Sequence, residues 1–173
     1  MKVALISCLK QDDSLMSWDE APAEKLFVSD FFRLANSYSE KLYGADRIYF
    51  LSTKYALLKP QQVISPYDNN FGDEDMQRKR CRRIISQLIL DGCDLENDEF
   101  LVLADDYYTP YIMETGMIQN ISMPLHKMNT MDAITYLAKA LENKGLLSQS
   151  DISSRLNSYN LLKTAEDFLN ELK

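Results

Sequence analysis

Several residue types are scarce in this chain, and each shortage removes a class of function. One histidine, His126, and three cysteines, Cys8, Cys81 and Cys93, stand among 173 residues. No Cys-x-x-Cys pair occurs and three thiols leave one unpaired, so neither a zinc centre nor a disulfide framework is expected. No cofactor is implied either. No apolar run approaches the roughly 20 residues that cross a bilayer. Val3-Ala4-Leu5-Ile6 is shorter than the apolar core of a signal peptide, about 7–15 residues. A reducing, cytoplasmic setting without membrane contact is the expectation. Only 5 glycines and 5 prolines are available for linkers. A basic excess is also missing: 19 Lys and Arg against 26 Asp and Glu give a net charge of −7. Polyphosphate is repelled by such a chain on average, which disfavours broad duplex binding.

The rest is ordinary globular material, 46% hydrophobic and 26% charged, and enough for one core. Val3–Ile6 reads as a strand buried on both faces, followed by a loop from Gln11 to Pro22. Ser29 caps a helix running to Tyr43, with Phe31, Leu34, Ala35, Tyr38 and Leu42 on one face and Gly44 as its stop. Arg47–Leu51 is the second strand, and a compact turn follows it through Leu58. After an irregular stretch, Asp73 opens a long helix with Ile84, Ile85, Leu88 and Ile89 inward. Phe100–Ala104 is the third strand, then comes a short helix at Tyr111–Thr115 and a weaker strand within Ile118–Met123. Strand–helix alternation over these residues predicts a three-layer α/β fold with a mostly parallel sheet. Residues 1–128 are expected to form this core. Residues 129–173 should be a helical extension packed on it, with two of its helices near 151–158 and 161–172.

In open parallel sheets, ligands bind beyond the carboxyl ends of the strands. The candidates are therefore the residues that follow each strand. Ser7, Cys8 and Lys10 follow the first; Ser52, Lys54 and Tyr55 the second; Asp105 and Tyr107 the third. Lys10 and Lys54 suit an anion, and a desolvated lysine can also serve as nucleophile. Cys8 is either a thiolate nucleophile activated by Lys10 or a small buried residue at a strand end. Tyr55, Tyr67 and Tyr107 could stack on a ring or belong to the core. Asp68 follows Pro66-Tyr67 on a stiffened loop and could position water or bind a ribose hydroxyl. Arg78, Lys79, Arg80, Arg82 and Arg83 form the one dense basic cluster. On a helix they spread around the axis, either as a solvated face paired with Glu74 and Asp75 or as a local nucleic-acid contact.

Four stretches carry a resemblance. Ser7-Cys8-x-Lys10 ends the first strand, Phe27-Val28-Ser29-x-x-Phe32-x-x-Ala35-x-x-Tyr38 makes the first helix, Leu51-Ser52-Thr53-Lys54-Tyr55-Ala56-Leu57-Leu58-x-Pro60 follows the second strand, and Val63-Ile64-x-Pro66-Tyr67-Asp68 comes next. Together they resemble a family of small bacterial and phage proteins with an L-S-A-K-[HY]-G-L-L-x-P signature. That family is similar in turn to the uracil-DNA-glycosylase-like domain of archaeal tRNA-guanine transglycosylase and archaeosine synthase. The resemblance covers about residues 1–125. It implies a uracil-DNA-glycosylase-like fold and a setting of nucleic-acid modification or defence. Two positions depart from the signature: Thr53 and Ala56 stand where it has Ala and Gly.

The expected function is an enzyme directed at a nucleobase or nucleotide, by N-glycosidic or base-modification chemistry. In that reading Lys54, Asp68 and Cys8 are the catalytic candidates. Ser7, Lys10, Ser52, Tyr55, Tyr67, Asp105 and Tyr107 are the ligand-binding ones. The alternative is a non-catalytic module that binds a nucleotide-like ligand or a protein partner.

Overall fold

In the computed structural model, the structure describes residues 1–147, and the two helices expected near 151–158 and 161–172 lie outside the described residues. The central sheet is built from β1 (Lys2–Ser7), β3 (Arg47–Ser52), β4 (Ala56–Leu58), β6 (Glu99–Leu103) and β7 (Asn120–Ser122). Its order is β4-β3-β1-β6-β7. β3, β1, β6 and β7 are parallel, with Val3 facing Arg47 on one side and Phe100 on the other. Only β4 is antiparallel. The compact turn expected after Ser52 is thus a hairpin, which pairs Ser52 with Ala56 and Leu51 with Leu57. β2 (Ala21–Pro22) and β5 (Val63–Ile64) make a separate small ribbon.

Strand alternation sends side chains to two packed faces, as a sheet covered on both sides requires. Ile6, Phe50, Leu101 and Leu103 face one layer, formed by α2 (Asp30–Ser37) and α5 (Thr130–Glu142). Val3, Leu5, Leu51, Phe100 and Val102 face the other, formed by α3 (Glu74–Leu90) and α4 (Thr109–Thr115). A one-turn helix, α1 (Ala23–Leu26), lies between the end of the expected loop at Pro22 and the Ser29 cap. α5 inserts Ile134, Leu137, Ala138 and Leu141 into the first layer and packs against α2.

Two helices differ from their expected form for physical reasons. The first is α-helical from Asp30 to Ser37 and then continues as a π-helical turn over Tyr38–Tyr43. The buried Ser39 hydroxyl donates back to the Ala35 carbonyl at 2.8 Å, competing with the backbone ladder where the helix widens. Ser29 caps its start by accepting from Phe32 N–H, and Gly44 ends it at φ 69°. In α3 the buried stripe is Gln77, Arg80, Cys81, Ile84, Ile85 and Leu88. Ile89, expected inward, is 49% exposed. The stripe turns away before it reaches position 89, and Arg80 takes an inward place instead.

The crossover from β1 to β3 leads to one side of β1, and the later crossover to β6 leads to the other. The carboxyl ends of β1 and β6 therefore form a topological switch point, where a parallel sheet leaves a crevice.

Candidate functional site

The crevice is present. A cavity of about 230 Å³ opens at the ends of β1 and β6, lined by Ser7, Lys10, Ala104 and Asp105 from the strand ends. Ser29 and Phe31 from the start of α2, Leu125 and Met128 from the approach to α5, and Thr130 and Ala133 from its first turn complete a mainly apolar wall. Burial of Asp105 raises its carboxyl above the ordinary value, partly offset by the Tyr107 N–H that its Oδ1 accepts at 3.1 Å.

A second, larger groove of about 730 Å³ lies beside it, between the loops that follow β1 and β3. Lys10, Gln11, Asp12 and Asp13 form one bank, and Lys54, Pro66, Tyr67, Asp68 and Asn69 the other. Lys10 lines both spaces. The groove brings Lys10, Lys54, Tyr67 and Asp68 together, as the strand-end argument requires. The smaller cavity brings Ser7, Lys10 and Asp105 together. Lys10, Lys54 and Asp68 are exposed, and no hydrogen bond or ion pair among the described residues engages their charged groups.

The loop that carries Tyr67 and Asp68 is tied on three sides. Gln11 donates its amide to the Tyr67 carbonyl at 2.7 Å and accepts from Tyr67 N–H at 2.9 Å. Asn69 donates to the Leu9 carbonyl at 2.5 Å and accepts from Thr53 Oγ1 at 3.0 Å. Arg80, 8% exposed, reaches from α3 and donates to the carbonyls of Thr53, Asn70 and Phe71 at 2.8–3.1 Å. The backbone of the groove's far bank is thereby set by polar contacts from the loops after β1 and β3 and from α3.

Ser52 is a pin within this framework. Fully buried, its Oγ accepts from Lys54 N–H and Tyr55 N–H and shares a 2.7 Å hydrogen bond with the Tyr67 hydroxyl. Burial pushes the Tyr67 phenol upward, so it stays neutral and able to donate. Tyr55 meets Tyr67 edge to face at 5.5 Å, and the Lys54 ammonium lies 5.1 Å and 5.7 Å from their two ring centroids. Tyr107 sits further out, stacked on Phe71 at 4.0 Å, and lines neither space.

Cys8 lies fully buried below the rim. Its thiol donates to the Leu51 carbonyl at 3.2 Å, and burial, followed by the nearby Asp105, pushes it well above the ordinary thiol value. A nucleophilic cysteine needs the opposite, a stabilised and accessible thiolate. Cys8 is therefore a packing residue between β1 and β3, not the activated thiolate envisaged beside Lys10. The basic cluster also divides. Arg78 pairs with Glu74 and Glu114, Lys79 pairs with Asp75, and Arg80 is turned inward onto loop carbonyls, so the five do not form one outward face.

Gln11, Asn69 and Arg80 were absent from the expected site, as were the cavity walls from α2 and the approach to α5. Arg80 alone had a usable signal: its spacing to Gln77, Cys81 and Ile84 puts it on the buried stripe.

Fold and rim together define a doubly wound α/β domain with its pocket at the switch point and a polar groove alongside. The chain belongs to a family of unknown function (DUF6884), matched over residues 3–139. No curated protein and no solved structure matches the chain.

Among the described residues no helix is long and apolar enough to cross a membrane, and no cluster of His, Cys, Asp and Glu could hold a metal ion.

Proposed function

We propose that the protein is a nucleobase- or nucleotide-directed enzyme related to the uracil-DNA-glycosylase-like domains. The observation that carries this reading is that one residue, Lys10, is a wall of both the apolar cavity and the polar groove. A ligand with a flat, weakly polar ring and a sugar–phosphate arm matches that pair of spaces. The ring enters the switch-point cavity beside Asp105, and the arm runs along the groove past Lys54 and Tyr67. The cavity is smaller than the roughly 300–1,000 Å³ of drug-sized pockets, so it suits a base better than a whole nucleotide.

The two carboxyl groups support distinct roles. Asp68 is exposed in the groove and fit to take a proton from water. Asp105 is half-buried, and burial raises its carboxyl above the ordinary value, the direction that suits a proton donor to a departing base. In N-glycosidic hydrolysis the sugar C–N bond breaks and a C–O bond to water forms. One water proton passes to Asp68, and the base nitrogen receives a proton from Asp105. Lys10 and Lys54 hold the anionic arm.

One observation favours a second reading, a binding module without turnover. No described neighbour fixes the Asp68 carboxylate, whereas catalytic groups are commonly oriented by a partner. The test is to incubate the protein with nucleosides, mononucleotides and short oligonucleotides, and to follow free base by mass spectrometry. Base release that disappears in Asp68→Asn and Asp105→Asn, with binding retained, supports the enzyme. Binding without release from any substrate supports the module. Neither binding nor release overturns both.

A further inference from the structure

A third space has a different character from the two above. Between the β3–β4 hairpin and α3 lies a cleft of about 230 Å³, lined by Thr53, Lys54, Ala56, Met76, Lys79, Arg80 and Arg83. Four of these side chains are cationic and none is acidic, in a chain whose net charge is −7. The groove has the reverse balance, Lys10 and Lys54 against Asp12, Asp13 and Asp68. The lining of the cleft is thus wholly cationic where that of the groove is mixed, so the cleft suits an anion of its own.

We propose that this cleft is a phosphate-binding site formed by Lys54, Lys79, Arg80 and Arg83. Arg80 is its inner wall. Its guanidinium is buried, yet its partners are neutral carbonyls, not a carboxylate. A buried charge is ordinarily paired. Three of its five N–H groups are engaged, which leaves two donors and the full positive charge for a ligand. Arg83, three residues on and one turn along the same face, is exposed and has no carboxylate partner among the described residues. Lys79 is held by Asp75 at 2.7 Å and forms the outer rim. Arg78 takes no part, because its contacts run to Glu74, Glu114 and the Tyr111 ring.

Lys54 joins this cleft to the groove, lining both. The ligand class is a phosphate group, whether free, terminal on a nucleotide or part of a strand. The cleft needs no nucleoside in the groove to bind it, so the assignment stands or falls separately from the catalytic reading.

Inorganic phosphate and pyrophosphate are the probes, titrated by calorimetry at constant ionic strength with chloride as reference. A mononucleotide and a short single-stranded oligonucleotide then distinguish a terminal from a backbone phosphate. Saturable phosphate binding is expected. It should weaken roughly tenfold in Arg83→Ala, the size of one charge-assisted hydrogen bond, and hold within about twofold in Arg33→Ala, which removes the same charge from the opposite layer. Both positions are exposed, so neither variant threatens folding. Absence of saturable binding above the chloride reference overturns the site. Equal weakening by Arg33→Ala and Arg83→Ala also overturns it, since that outcome reports a diffuse field and no built site.

Discussion

The side-chain amide of Gln11 engages both backbone polar groups of Tyr67, donating to its carbonyl at 2.7 Å and accepting from its N–H at 2.9 Å. This pairing resembles a rung of antiparallel sheet made by a side chain. It joins the loop after β1 to the loop that carries Asp68 across the mouth of the groove. Gln11→Ala removes both bonds and leaves two half-buried backbone groups to find water. The expected loss is about 1–3 kcal/mol in urea-unfolding free energy. Gln11→Glu keeps the acceptor for Tyr67 N–H but faces the carbonyl with a second acceptor, so it should recover at most part of that loss. Equal stability of all three proteins would show that the clamp does not hold the loop.

Arg80 and Arg82 are two residues apart on α3 and should behave very differently. Arg80 is buried and holds the carbonyls of Thr53, Asn70 and Phe71, while Arg82 is exposed. Arg80→Met keeps the aliphatic stem and removes the donors. A loss of at least about 2 kcal/mol is expected, since bonds from a charged donor are worth about 1.5–3 kcal/mol each. Arg82→Ala should stay within about 0.5 kcal/mol of the parent. Chemical denaturation of both variants under one set of conditions decides the point.

That contrast shows how far the residues can be read without a structure. β1, β3 and β6 are continuous apolar runs with abrupt polar ends, and a run buried on both faces has few alternatives. The rim residues Ser7, Lys10, Ser52, Lys54 and Asp105 were readable because chain order alone puts parallel strand ends on one edge. Gln11 and Asn69 were not, because a polar side chain in a loop has no periodicity to betray its partner. Arg80 was hidden by company: five cations in six positions read as a charged face, although its spacing to Cys81 and Ile84 marks it as inward. The cavity walls at Leu125, Met128 and Ala133 come from a distant part of the chain, and no local pattern brings them to Ser7. The two readings of Cys8 stay open in the sequence for a related reason. Proximity to Lys10 in sequence says nothing about the shared face, and Cys8 packs into the core layer while Lys10 stays at the rim.

Ala56 occupies a backbone conformation that ordinarily favours glycine. Its φ is +66°, in the left-handed region, and it sits 1% exposed where the β3–β4 hairpin closes. An L-residue there costs about 1–2 kcal/mol, while a buried methyl is worth about 0.8 kcal/mol. These oppose each other in Ala56→Gly, which should change unfolding free energy by no more than about 1 kcal/mol. Ala56→Val meets no such balance. It adds β-branching in the left-handed region and overpacks a filled site, so a loss above about 2 kcal/mol is expected. Thermal unfolding of the pair checks the argument, and a tolerated valine would contradict it.

Asp105 gives the stability a pH dependence whose sign follows from its surroundings. Burial is the largest influence and raises its pKa above 3.8; the Tyr107 N–H opposes this and the neighbouring Asp106 adds to it. Between its unfolded and folded values, the native state binds more protons than the unfolded chain. Its contribution is therefore fully present below the ordinary carboxyl value and is lost as pH rises through the folded one. Other carboxyls work in the opposite direction. Asp91, held low by Lys59 and Tyr49, loses its contribution as pH falls. Raw stability curves mix the two, so the informative quantity is the difference between the parent and Asp105→Asn. The amide keeps an oxygen for Tyr107 N–H and carries no charge to desolvate. Asp105→Asn should be the more stable protein at pH 7, with the advantage shrinking towards zero as pH falls below about 4. Urea unfolding at several pH values measures it, and an advantage that is flat with pH would mean that burial of the Asp105 charge is not its source.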